Sequence, residues 1–185
     1  MIDEIKRSTE AKMNKSVALL AHEFSKLRTG RASTALLEGI KVEYYGSQLP
    51  LNQVATISIP EPRLIIIQPW DKTALSSIEK AIHKSAIGLT PNNDGNLIRL
   101  AVPPLTTERR EELIRLTQRM TEETKVAIRN IRRDSNNEIK KIEKEKKISE
   151  DASFNAQDDI QRATDQFIKK VDEVQRQKEK EIRET

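Results

Sequence analysis

The chain has 185 residues, of which 34% are charged and only 3% aromatic, with five glycines and a formal net charge of +4. So much charge with so few large rings suits long exposed helices that bury a thin seam, and argues against one thick core. There is no cysteine, which excludes disulfides and thiolate metal sites.

No apolar run approaches the ~18 residues of a membrane span. Met1-Ile-Asp-Glu-Ile-Lys-Arg7 has neither the apolar core of a signal peptide nor the acid-poor character of a transit peptide. A soluble cytoplasmic protein is the expectation. The first predicted element is a helix over residues 2–29. Ile2, Ile5, Met13, Val17, Leu20, Phe24 and Leu27 recur at spacings of three and four, with Thr9 filling a gap. Such a narrow stripe belongs to a coiled coil or bundle. Gly30 stands where a helix C-terminus is expected, and Arg28 suits the negative end of the helix dipole.

The pattern then changes. All seven prolines and the other four glycines lie between Arg31 and Pro104. Ile40–Tyr44 alternates as a strand and turns at Gly46-Ser47, and Gln48–Leu51 is an edge-like return. Val54–Ile59 alternates again, and Pro60-Glu-Pro62 is expected to end it. Arg63–Gln68 reads as a central strand. Asp71 or Thr73 can cap a helix over about 73–87, which Gly88 closes. Pro91–Gly95 reads as a turn and Leu97–Val102 as the last strand. Trp70 is expected to cover the core of this module, and one of Tyr44 and Tyr45 to be exposed.

Helical periodicity returns after Leu105, with Thr106 as N-cap. Leu113, Leu116, Met120, Ala127, Ile131, Ile139 and Ile142 carry a second seam to about Lys147. Ile148–Asp151 is a break, and a third helix places Ala156, Ile160, Ala163, Phe167, Val171, Val174 and Ile182 on its seam. The expected fold class is α+β: an elongated antiparallel three-helix bundle (1–29 and 106–185) carrying a small inserted α+β domain (31–104). Two short Gly- and Pro-containing connections, Thr29-Gly30-Arg31 and Pro103-Pro104-Leu105, would lie side by side and act as a hinge.

Between Thr124 and Arg133 there are four basic residues, Lys125, Arg129, Arg132 and Arg133, and no acidic one. That excess equals the net charge of the whole chain. From Thr106 to Arg132 an α-helix rises roughly 39 Å at ~1.5 Å per residue. In an antiparallel bundle the stretch would therefore sit level with the N-terminus, near Lys6 and Arg7. Positions 125, 129, 132 and 136 share one flank. Ile128 and Ile131 should face inward and the arginines outward. Guanidinium forks suit phosphate oxygens, and Asn136 and Asn137 can add polar contacts. Structured RNA fits such a surface better than single strands, because no aromatic lies beside it for stacking. The competing explanation is a solvated face paired to neighbouring acids. His22 and His83 lack a second ligand at metal spacing, and no nucleophile elbow, phosphate loop or dinucleotide fingerprint is present. Neither an enzyme nor a metal or cofactor is expected. Two alternatives remain: a helical adaptor or chaperone for protein partners, and an enzyme in the α+β insert, which would need a pocket with paired titratable groups that the sequence does not offer.

The residues also resemble the ribosome recycling factor family over essentially the whole chain. The resemblance is carried by Leu27-Arg-Thr-Gly-Arg-Ala32, Val42-Glu-Tyr-Tyr-Gly46, Pro60-Glu-Pro-Arg63, Ile78-Glu-Lys-Ala-Ile82, Asn93-Asp-Gly-Asn-Leu-Ile-Arg99, Pro104-Leu-Thr, Glu108-Arg-Arg110 and Lys125-Val-Ala-Ile-Arg-Asn-Ile-Arg-Arg-Asp134. Thr34, Ala86 and Thr107 depart from the family's usual proline, aspartate and glutamate, and none of them touches the basic stretch. The resemblance implies an L-shaped monomer that binds the large subunit of the ribosome after termination, across its A and P sites. It implies that elongation factor G, with GTP, then splits the ribosome, and that this chain hydrolyses nothing. It makes Arg132 the leading contact to the large-subunit (23S-type) rRNA, with Arg129 and Arg133 beside it. It also matches Arg28 and Arg31 to a basic hinge motif.

Overall fold

The computed structural model describes residues 1–184. The elements in chain order are α1 (Ile2–Lys26), β1 (Lys41–Tyr44), β2 (Ser47–Pro50), β3 (Ala55–Glu61), β4 (Leu64–Pro69), α2 (Leu75–Lys84), β5 (Pro91–Asn93), β6 (Ile98–Ala101), α3 (Thr107–Lys144) and α4 (Glu150–Glu184). The chain divides into two compact units. One comprises Met1–Leu27 and Arg110–Glu184, and the other Arg28–Arg109.

The helical unit is built from α1, α3 and α4. Its core shows the antiparallel run of α1 against α3. Ile5 packs with Ile139, Ile142, Ala156 and Ile160. Further along α1, Met13, Leu20 and Phe24 pack with Ile128, Phe167 and Val171. Ile128 is fully buried whereas Ala127, expected on the seam, is exposed. The seam is also more polar than its apolar spacing suggests. Thr9, Thr117, Thr121, Ser135, Ser153 and Thr164 are all buried. Helical hydroxyls can satisfy themselves on a carbonyl one turn back. Thr9 donates to Ile5 O at 2.7 Å and Thr164 to Ile160 O at 2.7 Å. Thr9 thereby spends its only hydroxyl proton, so Ser135 Oγ donates to Thr9 Oγ1 across the bundle, at 2.6 Å.

The helix ends follow local chemistry. α1 stops at Lys26, short of the expected Thr29, because Leu27 is already extended (φ −70, ψ 129). Arg28 is consequently not a last-turn residue of α1. In the α/β unit its Nη2 donates to Ala86 O at 2.8 Å. α3 starts after Thr106, whose Oγ1 accepts from Arg109 N–H at 3.2 Å. It ends at Lys144 and not near Lys147, and Lys146 turns the chain with a left-handed φ of 56. Ser149 then caps α4 through Ala152 N–H at 3.2 Å. No helix among the described residues is long and apolar enough to cross a membrane.

In the α/β unit a four-stranded antiparallel sheet has the order β3-β4-β6-β5, and β1 and β2 form a separate hairpin. β4 is central, and its Ile65 and Ile67 are fully buried with Ile78 and Ile82 of α2 and Ile98 and Leu100 of β6. Tyr45 and Gly46, with φ of 48 and 78, make the two-residue left-handed turn that suits a tight hairpin.

Four expectations are corrected here. β3 does not end at Pro60 but runs to Glu61, with a register shift between Ser58 and Glu61. An edge strand tolerates a proline because its outward N–H is not needed. Pro91–Asn93 is not a turn but a short edge strand paired with β6. The turn follows it, where Asp94 Oδ1 accepts from Asn96 and Leu97 N–H at 2.9 and 3.0 Å. α2 spans only Leu75–Lys84, after a 3₁₀ turn at Lys72–Ala74 that Asp71 caps. Trp70 does not cover the core. It is 68% exposed, its indole N–H donating to Thr56 Oγ1 at 2.8 Å. Tyr45 is the exposed tyrosine of its pair, while Tyr44 is half-buried and donates to Asp71 Oδ2 at 3.0 Å.

Candidate nucleic-acid interface

The basic stretch lies in the middle of α3, where an uninterrupted helix fixes its side chains relative to the buried Ile128 and half-buried Ile131. Its cations are not equivalent. Lys125 Nζ meets Asp172 Oδ1 of α4 at 2.6 Å, with the lysine side chain only 19% exposed. Arg129 Nη1 meets Glu122 Oε1, two turns back on α3, at 2.9 Å. Arg133 is well exposed, and its Nε lies 3.9 Å from Asp134 Oδ1. Arg132 is half-buried, and its Nη1 donates to the amide oxygen of Gln161 on α4 at 3.0 Å. Gln161 Nε2 in turn donates to Asp165 Oδ1 at 2.9 Å. Lys125 and Arg129 are therefore paired to carboxylates, Arg133 is solvent-exposed beside Asp134, and Arg132 donates to a neutral amide.

This corrects the picture of a uniformly outward flank. Arg129 and Arg133 are exposed, but Lys125 and Arg132 lean onto α4. The carbonyl of Asn136 is buried without a hydrogen-bond partner, so it does not present a polar contact outward. Asn137 is exposed.

The contact between Thr9 and Ser135 sets the first turns of α1 beside this part of α3. Arg7 is exposed there. Lys6 is engaged by Asp159 of α4, and its hydrogen bond and charge hold the Asp159 carboxyl below the usual carboxylate range.

The residues expected to form the hinge belong to the α/β unit. Thr29 and Gly30 are buried, with Gly30 at φ 74, where a side chain would be strained. Arg31, Pro103 and Pro104 are exposed, and Leu105 is half-buried. Arg28 and Arg31, with Leu36 and the Val102–Leu105 run, line a cleft of about 400 Å³ in that unit. No group of three His, Asp or Glu among the described residues could hold a metal ion.

Gln161 and Asp165 had no signal in the sequence. They lie on a different helix from the basic stretch, and only the pairing of α3 with α4 brings them to Arg132.

Fold and site define a class: a discontinuous helical bundle with an inserted antiparallel α/β module, whose candidate site is a charged helix face and not a catalytic pocket. The chain belongs to the ribosome recycling factor family, whose model matches residues 20–182. It is 58% identical over 181 residues to the ribosome-recycling factor of Natranaerobius thermophilus, covering 98% of each chain. It is 57% identical to that of Carboxydothermus hydrogenoformans, again over 98% of each. A solution structure of the ribosome recycling factor superposes with a TM-score of 0.79 at 45% identity, covering 100% of this chain and 98% of that one. A second structure, at TM-score 0.66 and 47% identity over 98% of both chains, is a model of the T. thermophilus ribosome recycling factor, with E. coli elongation factor G, bound to the E. coli post-termination complex.

Proposed function

We propose that this chain binds the ribosome after termination and, with elongation factor G and GTP, separates it into subunits, gripping large-subunit rRNA through α3. Membership of the ribosome recycling factor family makes it a translation factor and not an enzyme. The observation that carries the reading is the near full-length match to ribosome recycling factors, one of them seen on a post-termination complex with elongation factor G. The nucleotide chemistry then belongs to the elongation factor. This chain supplies shape, charge and stiffness.

Arg132 is the contact the geometry favours, because its charge is not offset by a carboxylate. Arg133 and Arg129 flank it on the exposed side, while Arg7, two residues from both buried Ile5 and buried Thr9, lies on the outer face of α1 as a separate candidate contact. Lys125 and Lys6 act mainly by tying α4 to its neighbours, given their pairs with Asp172 and Asp159. A long helix anchored through phosphates transmits force along its axis with little bending. The connections at Thr29-Gly30-Arg31 and Pro103-Pro104-Leu105 would serve as the hinge, and Arg28 as a contact beside it. The test is a splitting assay on post-termination ribosomes with elongation factor G and GTP. Subunits should accumulate only when this chain is present, and intact ribosomes after full GTP turnover would refute the proposal.

A further inference from the structure

We propose that Gln161 is a positioning residue for rRNA binding: it locks the Arg132 guanidinium in place through a neutral acceptor, so that the arginine is ordered without its charge being cancelled. The inference rests on the reading of Arg132 as the principal rRNA contact.

The geometry carries it in two steps. First, the acceptor is chemically unlike its neighbours. Lys125 and Arg129 are paired to carboxylates at 2.6 and 2.9 Å and Arg133 stands in solvent beside Asp134, whereas Arg132 is held by an amide oxygen at 3.0 Å. An amide accepts a hydrogen bond but contributes no negative charge. A carboxylate at that point would form a charge-assisted pair with the fork that phosphate would otherwise use. Only Nη1 is engaged by Gln161, and a guanidinium has five N–H donors, so donors remain for phosphate oxygens.

Second, the amide cannot turn round. Asp165 Oδ1 takes a hydrogen bond from Gln161 Nε2 at 2.9 Å, and an ionised carboxylate only accepts. The amino end of Gln161 therefore faces Asp165 and the oxygen faces α3. Asp165 orients Arg132 through an intervening amide, without touching it. A half-buried arginine held this way loses less side-chain freedom when it meets RNA.

A plain interhelical hydrogen bond and a charge-sparing tether make opposite predictions for Gln161→Glu. That change gives Arg132 a carboxylate that offsets its charge, and gives up the hydrogen bond to Asp165. Binding of the full chain to purified large ribosomal subunits is measured across a salt series, with thermal melting alongside, for wild type, Arg132→Gln, Gln161→Glu, Gln161→Leu, and Arg132→Gln combined with Gln161→Glu. Arg132→Gln should weaken binding by about tenfold and flatten the plot of log affinity against log salt by nearly one unit. Gln161→Glu should weaken it about three- to tenfold and flatten the plot likewise, with melting used to show that the variant is folded, since the charged contact to Arg132 is opposed by the lost donor to Asp165. That loss should shrink in the double variant. Gln161→Leu, which removes the tether but adds no charge, should weaken binding without changing the salt slope. Wild-type binding by Arg132→Gln would overturn the reading of Arg132 itself. If Arg132→Gln binds poorly but Gln161→Glu binds like wild type, or its loss persists undiminished in the double variant, the role of Gln161 alone is overturned.

Discussion

A guanidinium serves an anion best when it is held in place and no neighbour has taken its charge, and within the Lys125–Arg133 stretch Arg132 meets both conditions. Arg132→Glu should abolish measurable subunit splitting. Circular dichroism should still report a folded helical protein, and melting should fall only modestly, by the loss of the Gln161 contact, about 0.5–1.5 kcal/mol. Splitting at the wild-type rate by a folded Arg132→Glu protein would show that the contact lies elsewhere. The concentration of positive charge was readable in the sequence because it is local: four cations within one window. The inequality among those cations was not. Asp172 and Gln161 reach the stretch only through helix packing, and Glu122 falls just outside a window that opens at Thr124.

The helices themselves were legible because a period of three and four survives a few polar interruptions. What escaped were the hydroxyls of the seam other than Thr9, and prolines at strand edges. A buried hydroxyl is silent to hydropathy, and Ser135, which meets Thr9 across the bundle, is the clearest case. Thr9→Val alone strands a buried serine hydroxyl and should cost about 1–3 kcal/mol in urea unfolding. Adding Ser135→Ala should recover most of that loss, because two apolar groups of similar shape can replace a hydrogen-bonded pair. Additive losses would mean that the pair is not coupled.

Within the α/β unit Asp71 offers a pH test. The backbone N–H of Thr73 is the main influence that holds its carboxyl below the ordinary 3.8, with the Tyr44 hydroxyl adding to it, and the same bond raises the Tyr44 pKa. A lowered folded pKa stabilises at pH above 3.8, and the benefit fades as pH falls through the folded value. Asp71→Asn should accordingly be less stable than wild type at neutral pH. The gap should close on acidification below pH 3.8, as followed by urea melts.

For the molecule as a whole, the proposed grip on rRNA is a salt-dependent one. If Arg129, Arg132 and Arg133 each displace a counterion, log affinity for the large subunit should fall against log salt with a slope of about −2 to −3. A slope near zero would point to an apolar protein partner and revive the adaptor reading. The prolines described in the strands have a different consequence. β3 and β5, the outer strands of the sheet, carry Pro60 and Pro91, and β2 of the separate hairpin carries Pro50. An open strand edge is a template on which a second copy can add its own strand, and a residue without an N–H interrupts that template. These prolines, of which Pro60 and Pro91 obscured strand limits in the sequence, blunt these margins. They discourage the sheets of neighbouring chains from joining edge to edge into aggregates.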